Sequence, residues 1–170
     1  MISASLFSQH GVLKQQVPSR PQVKTISEAD YKAHADGWLV DMEEAYKVSK
    51  KTGKPIMANF TGSDWCGWCK KLKYEVFDKD EFKAWAKKNV VLVELDFPRR
   101  FKIPQKYQDQ NHALAKGFGV RGYPTIWVFN LDKDDKGQMS IAKLGTTPYQ
   151  KGISLFTQTI EKIIAQSTEK

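Results

Sequence analysis

The stretch Asn59-Phe-Thr-Gly-Ser-Asp-Trp-Cys-Gly-Trp-Cys-Lys-Lys-Leu-Lys-Tyr-Glu-Val-Phe77 decides the reading of this chain. It opens on the end of an apolar strand, Pro55 to Thr61, with Ile56, Ala58 and Phe60 on one face. It continues as a helix from Cys66 to about Phe77, in which Trp68, Leu72 and Val76 recur every four residues. Cys66 and Cys69 stand where strand-loop meets helix, and three residues of separation on a first helical turn bring two sulfurs within bonding reach. The first sulfur meets free backbone N–H groups and the positive end of the helix dipole, which stabilise a thiolate. The second lies one turn inside, expected to be more buried and poised to attack a mixed disulfide formed by the first. Lys70 and Lys71 add positive potential that solvent largely screens. This pattern is the machinery of thiol–disulfide exchange.

Other uses of two cysteines fit less well. A zinc site needs two further ligands, and His10, His34 and His112 show no paired spacing. A permanent structural bridge between Cys66 and Cys69 would close a very small loop and stabilise little. The expectation is therefore a redox-active Cys66–Cys69 disulfide, with no metal and no other cofactor.

Working outward, Asp41 and Glu44 mark a helix start, with Met42, Ala45, Tyr46 and Ser49 at helical spacing and Lys50, Lys51 and Gly53 at its end. Beyond the dithiol, Asp78 with Glu81 predicts a fresh cap, so that a kink or a new helix begins there and runs to about Lys88. Val90 to Leu95 is almost continuously apolar, as a strand covered on both faces would be. Pro98 to Tyr107 reads as irregular and basic, and Gln110 to Lys116 as a short helix ended by Gly117. Pro124 to Asn130 and Gln138 to Leu144 form a hairpin about the polar turn Leu131 to Gly137. A last helix, Tyr149 to Ala165, carries Ile153, Phe156, Ile160, Ile163 and Ile164 on one face. The first two strands are each followed by a helix, which predicts parallel pairing through crossovers, and the hairpin adds an antiparallel edge. The fold class is α/β, a three-layer α/β/α sandwich around a central mixed sheet.

The 170 residues suit one domain with a short appendage. With 41% hydrophobic and 27% charged residues the composition is globular, and no apolar run approaches the roughly 18 residues of a membrane span. Twenty-seven Lys and Arg against 19 Asp and Glu leave a net charge of +8, without a basic tract or motif that reads nucleic acid. The mildly apolar start, Met1 to Gln9, lacks a basic leader; it reads either as the remnant of an export signal or as a frayed terminus. Pro18 and Pro21 mark a tether, so residues 1–37 are set apart as a tail and 38–170 as the domain.

Asn59 to Phe77, taken with Leu95-Asp-Phe-Pro-Arg99 and Val120-Arg-Gly-Tyr-Pro-Thr125, resembles the thioredoxin superfamily, and more narrowly exported bacterial thioredoxin-like proteins. The resemblance covers roughly residues 38–166. It implies a thioredoxin-like fold, with Cys66 as attacking and Cys69 as resolving cysteine. Pro124 would be a cis-proline beside the dithiol, leaving the Tyr123 backbone to pair with a substrate strand; read by itself it is a strand-initiating proline. Trp65, Gly67, Trp68, Tyr123 and Pro124 would form the substrate-binding rim, though both tryptophans also suit a core. Two departures stand out. Trp68 occupies the position where many thioredoxins have proline, so no redox potential carries over. Asn59 stands where many keep a buried aspartate, which leaves proton relay to Asn59 through water, to nearby Asp64, or to another carboxylate.

The resemblance implies an enzyme, a protein thiol–disulfide oxidoreductase and more specifically a disulfide reductase in the cell envelope, with a periplasmic or otherwise exported location and a cytoplasmic one as the alternative. Its partners would be protein substrates with disulfides or dithiols and an upstream electron-donor protein, with no nucleic acid and no integral membrane segment. The competing class is a non-catalytic protein-binding module; a metal carrier using both thiolates is a third. Arg99, Arg100, Lys102 and Lys106 interleave with Phe97, Phe101 and Tyr107, which reads either as a docking loop or as a loop whose aromatics pack back onto the domain.

Overall fold

A computed structural model of the chain describes residues 23–168. The expected export-signal stretch 1–9, the tether prolines Pro18 and Pro21, and His10 lie outside these. Asp41 accepts the backbone N–H of Glu43 at 2.8 Å and of Glu44 at 3.3 Å, and so starts helix α1 (Met42–Thr52). Gly53 ends it at φ 70°, a left-handed turn that costs glycine nothing. There follow β1 (Ile56–Thr61), α2 (Gly67–Leu72), a π-helical turn (Lys73–Phe77), α3 (Asp80–Asn89) and β2 (Val91–Asp96). The chain closes with α4 (Gln105–Phe118), β3 (Thr125–Lys133), β4 (Met139–Thr147) and α5 (Ile153–Thr168).

The sheet runs β2-β1-β3-β4, with β1 and β2 parallel and β3 and β4 added antiparallel. Strand alternation sorts its residues into two cores. Ile56, Ala58, Phe60, Val91, Val93 and Leu95 pack against Met42 and Ala45 of α1 and Phe118 of α4. On the opposite face Met57, Leu92, Ile126 and Val128 meet Leu72, Phe82 and Phe156 from α2, α3 and α5. Helices thus cover both faces, the three-layer mixed-sheet architecture expected. Burying one such side chain contributes about 1.5–3 kcal/mol.

Several boundaries differ from the sequence reading, each for a local reason. The helix from Cys66 does not run on as an α-helix. Asp78 donates its backbone N–H to Lys73 O, five residues back, and the consecutive Val76 and Phe77 are both buried. Asp78 ends the π-helical turn and does not cap α3; its carboxylate takes Lys73 Nζ at 2.6 Å, and Lys79 is the N-cap of α3. Helix α4 starts five residues before the expected Gln110, directly after Pro104, and passes through Gly117 to end at Gly119, φ 67°. The hairpin strands reach Lys133 and Thr147 because Asp134 closes a tighter turn, accepting the amides of Lys136 and Gln138. Helix α5 waits until Ile153, since Gly152 at φ 79° stands outside a right-handed helix.

Residues ahead of α1 lie along this domain. Thr25 bridges Lys102 and Leu39 bridges Val93 on the outer edge of β2. Tyr31 packs with Ile103 and Tyr107, while Ala35 and Trp38 join the core beneath α2 and α3. The basic insert folds back in the same way. Phe97 lies against Tyr123 and His112, Phe101 against His34, and Tyr107 against Tyr31.

Candidate active site

Cys66 is the N-cap of α2, and its Sγ accepts the backbone N–H of Cys69 at 3.2 Å. The two cysteines are joined by a disulfide, with Cα atoms 5.3 Å apart. The expected difference in burial is absent, for each cysteine is 6% exposed. What distinguishes them is orientation. Cys66 caps the helix beside exposed Gly67 and Trp68, and an amide donor at its sulfur favours a thiolate once the bond opens. Cys69 instead lines a cavity on the inner side of α2.

The rim is aromatic and cationic. Trp65 is half-buried; its Nε1 donates to Phe97 O at 2.8 Å, its ring meets Tyr123 edge-on at 5.8 Å, and the Arg99 guanidinium stacks on it at 3.6 Å. Gly62 makes room for this indole, because a Cβ there would come within 2.4 Å of the ring. Trp68 is 58% exposed and leans on Tyr149 at 5.1 Å, with Lys71 over its ring. Trp68 therefore belongs to the surface and Trp65 is shared between surface and packing. The Tyr123–Pro124 peptide is cis, and Thr125 opens β3 opposite Phe60, so this turn and the dithiol lie at the same end of the sheet.

Behind the disulfide the sheet turns polar. Asn59 is paired in register with Glu94 and Thr61 with Asp96, and all four are buried. By strand alternation they share the face that carries Met57 and Leu92, the α2 side. Asp96, 1% exposed, accepts Ser63 N–H at 2.8 Å, Ser63 Oγ–H at 2.6 Å and Phe97 N–H at 2.9 Å. Burial pushes it above the usual carboxylate range, against the pull of the Ser63 hydrogen bonds. Glu94 Oε1 receives both the backbone N–H and the Nδ1 of His34, each at 2.8 Å. That hydrogen bond holds the imidazole above its ordinary value, with burial and Lys73 opposing. Asn59 Oδ1 is buried without a partner. Asp64 faces elsewhere: its carboxylate takes the backbone N–H groups of Arg99 and Arg100 and ties down the basic insert.

Sequence reasoning therefore singled out the dithiol, the rim and Asn59, and overlooked Glu94, Asp96 and His34 in the interior polar group. Glu94 was legible as the one charge within an apolar strand, Val91-Leu-Val-Glu-Leu95, but nothing local linked it to His34 sixty residues earlier. Among the described residues no group of three or more His, Cys, Asp or Glu is set to hold a metal ion, and no helix is long and apolar enough to cross a membrane.

A Cys-x-x-Cys disulfide whose first cysteine caps the helix after a central strand, with a cis-proline turn at the same sheet end, defines a thioredoxin-class protein. The chain belongs to the thioredoxin-like domain family, whose family model matches residues 42–144. It is 37% identical over 105 residues to the disulfide bond reductase DsbH of Chlamydia pneumoniae, a match spanning 62% of this chain and 60% of that protein. It is 32% identical over 118 residues to the thioredoxin-related protein DsbJ of the same organism, over 69% of this chain and 32% of that one. A solved structure of a DsbH oxidoreductase superposes with a TM-score of 0.64 at 27% identity, covering 92% of this chain and 95% of that one.

Proposed function

We propose that this protein is a thiol–disulfide oxidoreductase that reduces disulfides of other proteins in the cell envelope. The observation that carries this is Cys66, bonded to Cys69 and capping α2 beneath an open aromatic rim. In the reducing direction the Cys66 thiolate attacks a substrate disulfide, forming a mixed disulfide and releasing one substrate thiol. Cys69, losing its proton, attacks Cys66 Sγ, which frees the second substrate thiolate and closes the Cys66–Cys69 bond. Two electrons pass from the dithiol to the substrate, and an upstream donor protein returns them. Trp65, Gly67, Trp68, Tyr123 and Pro124 line the side from which a substrate strand approaches, with the Tyr123 backbone offering strand-like hydrogen bonds. The similarity to a disulfide bond reductase supports the direction, and the relatives' Dsb names support an exported location.

The test is a turbidity assay of insulin reduction with dithiothreitol, run beside a titration in glutathione buffers. The expected result is acceleration by the unaltered protein, none by Cys66→Ser, and a midpoint nearer about −270 mV than about −120 mV. A midpoint at the oxidising end reverses the direction. No acceleration at all leaves a protein-binding module.

A further inference from the structure

The exchange reaction needs a place for the resolving cysteine's proton, and β1 supplies none, since Asn59 does not ionise. The interior offers a replacement assembled from two distant parts of the chain. A cavity of about 250 Å³ is lined by Cys69, Asn59, Thr61, Glu94, His34 and Lys73. At about 30 Å³ per molecule the cavity has room for several waters, and Cys69, Asn59, Thr61 and Glu94 are polar groups on one wall of it. Glu94, 4% exposed, is the carboxylate on that wall, and His34 holds Oε1 through two hydrogen bonds. Neither of the other two carboxylates close to the site lines this cavity: Asp96 accepts from Ser63 and Phe97 and lies 3.8 Å from His34 Nδ1, and Asp64 holds the backbone of Arg99 and Arg100. Asn59, with its buried and unpartnered Oδ1, adds a polar atom to the same wall.

Resting on the oxidoreductase reading, we propose that Glu94, positioned by His34 from the segment preceding the family domain, accepts the Cys69 proton during resolution. The S–H bond of Cys69 breaks and its proton passes across the cavity to the Glu94 carboxylate. The Cys69 electron pair forms the bond to Cys66 Sγ, and the substrate thiolate departs with the electrons of the mixed disulfide. His34, 37% exposed, donates from Nδ1 to Oε1 and holds the carboxylate in place, and Glu94 releases the proton to water in the cavity. The groups facing this pair set its pH response: Lys73 and Lys70 from the helix side, Asp96 beside Glu94 on β2, and Tyr31 from the N-terminal segment. Reversed, the same path returns a proton to Cys69 when the disulfide is opened by a donor.

The experiment is stopped-flow reaction of the reduced protein with the chromogenic disulfide DTNB, followed over roughly pH 5 to pH 9, where imidazole and thiol groups titrate. Cys66 attack releases the first chromophore and Cys69 resolution the second, so one trace separates the two steps. Glu94→Gln should slow the second phase about tenfold or more at neutral pH and flatten its pH dependence, with the first phase within about twofold of normal. Glu94→Asp, which keeps the carboxylate, should recover most of that loss. His34→Gln, at a partly exposed ring, should displace the pH dependence of the second phase alone, and it serves as the test if Glu94→Gln does not fold. A second phase unchanged in Glu94→Gln and His34→Gln overturns the assignment, as does equal slowing of both phases without recovery in Glu94→Asp. Absence of any second release from the unaltered protein would instead refute the oxidoreductase reading together with it.

Discussion

The two sides of the Cys66–Cys69 bond are built on different principles. Outside lie Trp68 and Gly67, open to solvent, and the half-buried, Arg99-capped Trp65 that links this rim to the fold. Inside lie Asn59, Glu94 and Asp96, polar side chains set at fixed register in a parallel strand pair, with Glu94 tied to His34 and Asp96 to Ser63. An outer group can change without disturbing the domain, whereas an inner one is part of the packing that holds Cys69. On the proposed reading, substrate recognition outside and proton handling inside should be separable by mutation.

The largest effect expected on stability comes from the inner wall. Phe77 contacts the rings of Trp38, Phe82 and Phe156 and lines the same cavity as Cys69. Phe77→Ala should cost about 3–5 kcal/mol in denaturant unfolding; a cost below about 1 kcal/mol would show that this wall is not tightly packed. Asp96→Ala strands the donors of Ser63 and Phe97 and should cost about 1–3 kcal/mol by the same measurement.

How much of this was readable beforehand follows the same division. The dithiol, the strand before it and the Gly-Tyr-Pro-Thr segment are contiguous motifs, so their chemistry follows from local spacing. Ile56, Ala58 and Phe60 announce one sheet face through alternation alone. The inner polar set depends on which residue of β2 lies opposite Asn59, and register is a property of two strands, not of one stretch of sequence. His34 was visible only as an unpaired histidine, because its partner is sixty residues away. Asp64 looked like a candidate relay by proximity in sequence, yet its carboxylate turns toward the amides of Arg99 and Arg100. The π-helical turn after Leu72 likewise reflects tertiary demand, since Val76 and Phe77 are both drawn into the core.

On the outer side, Trp68→Ala should raise KM for a protein disulfide about three- to tenfold in the insulin assay, as loss of one aromatic contact would. Its stability should stay within about 0.5 kcal/mol of the unaltered protein, because the ring is mostly exposed. A large loss of stability in this variant would erase the proposed distinction between the two sides.

The smallest effect concerns pH. Glu94 raises the His34 pKa in the fold, so the pair's stabilisation is complete below the unfolded histidine value, about 6.5, and fades as pH rises through the higher folded value. Thermal melts from acid to mildly alkaline pH should therefore fall by about 1–2 °C more in the unaltered protein than in His34→Gln, a small difference because the ring is partly solvated. Parallel curves would mean that the imidazole and Glu94 do not interact energetically.

The most direct test is trapping. Cys69→Ser, reduced and mixed with a disulfide-containing protein, should accumulate a covalent adduct that mass spectrometry maps to Cys66, while Cys66→Ser should accumulate almost none. Adducts of comparable yield through Cys69 in the Cys66→Ser variant, or none in either, would contradict an exchange reaction that begins at the cap of α2.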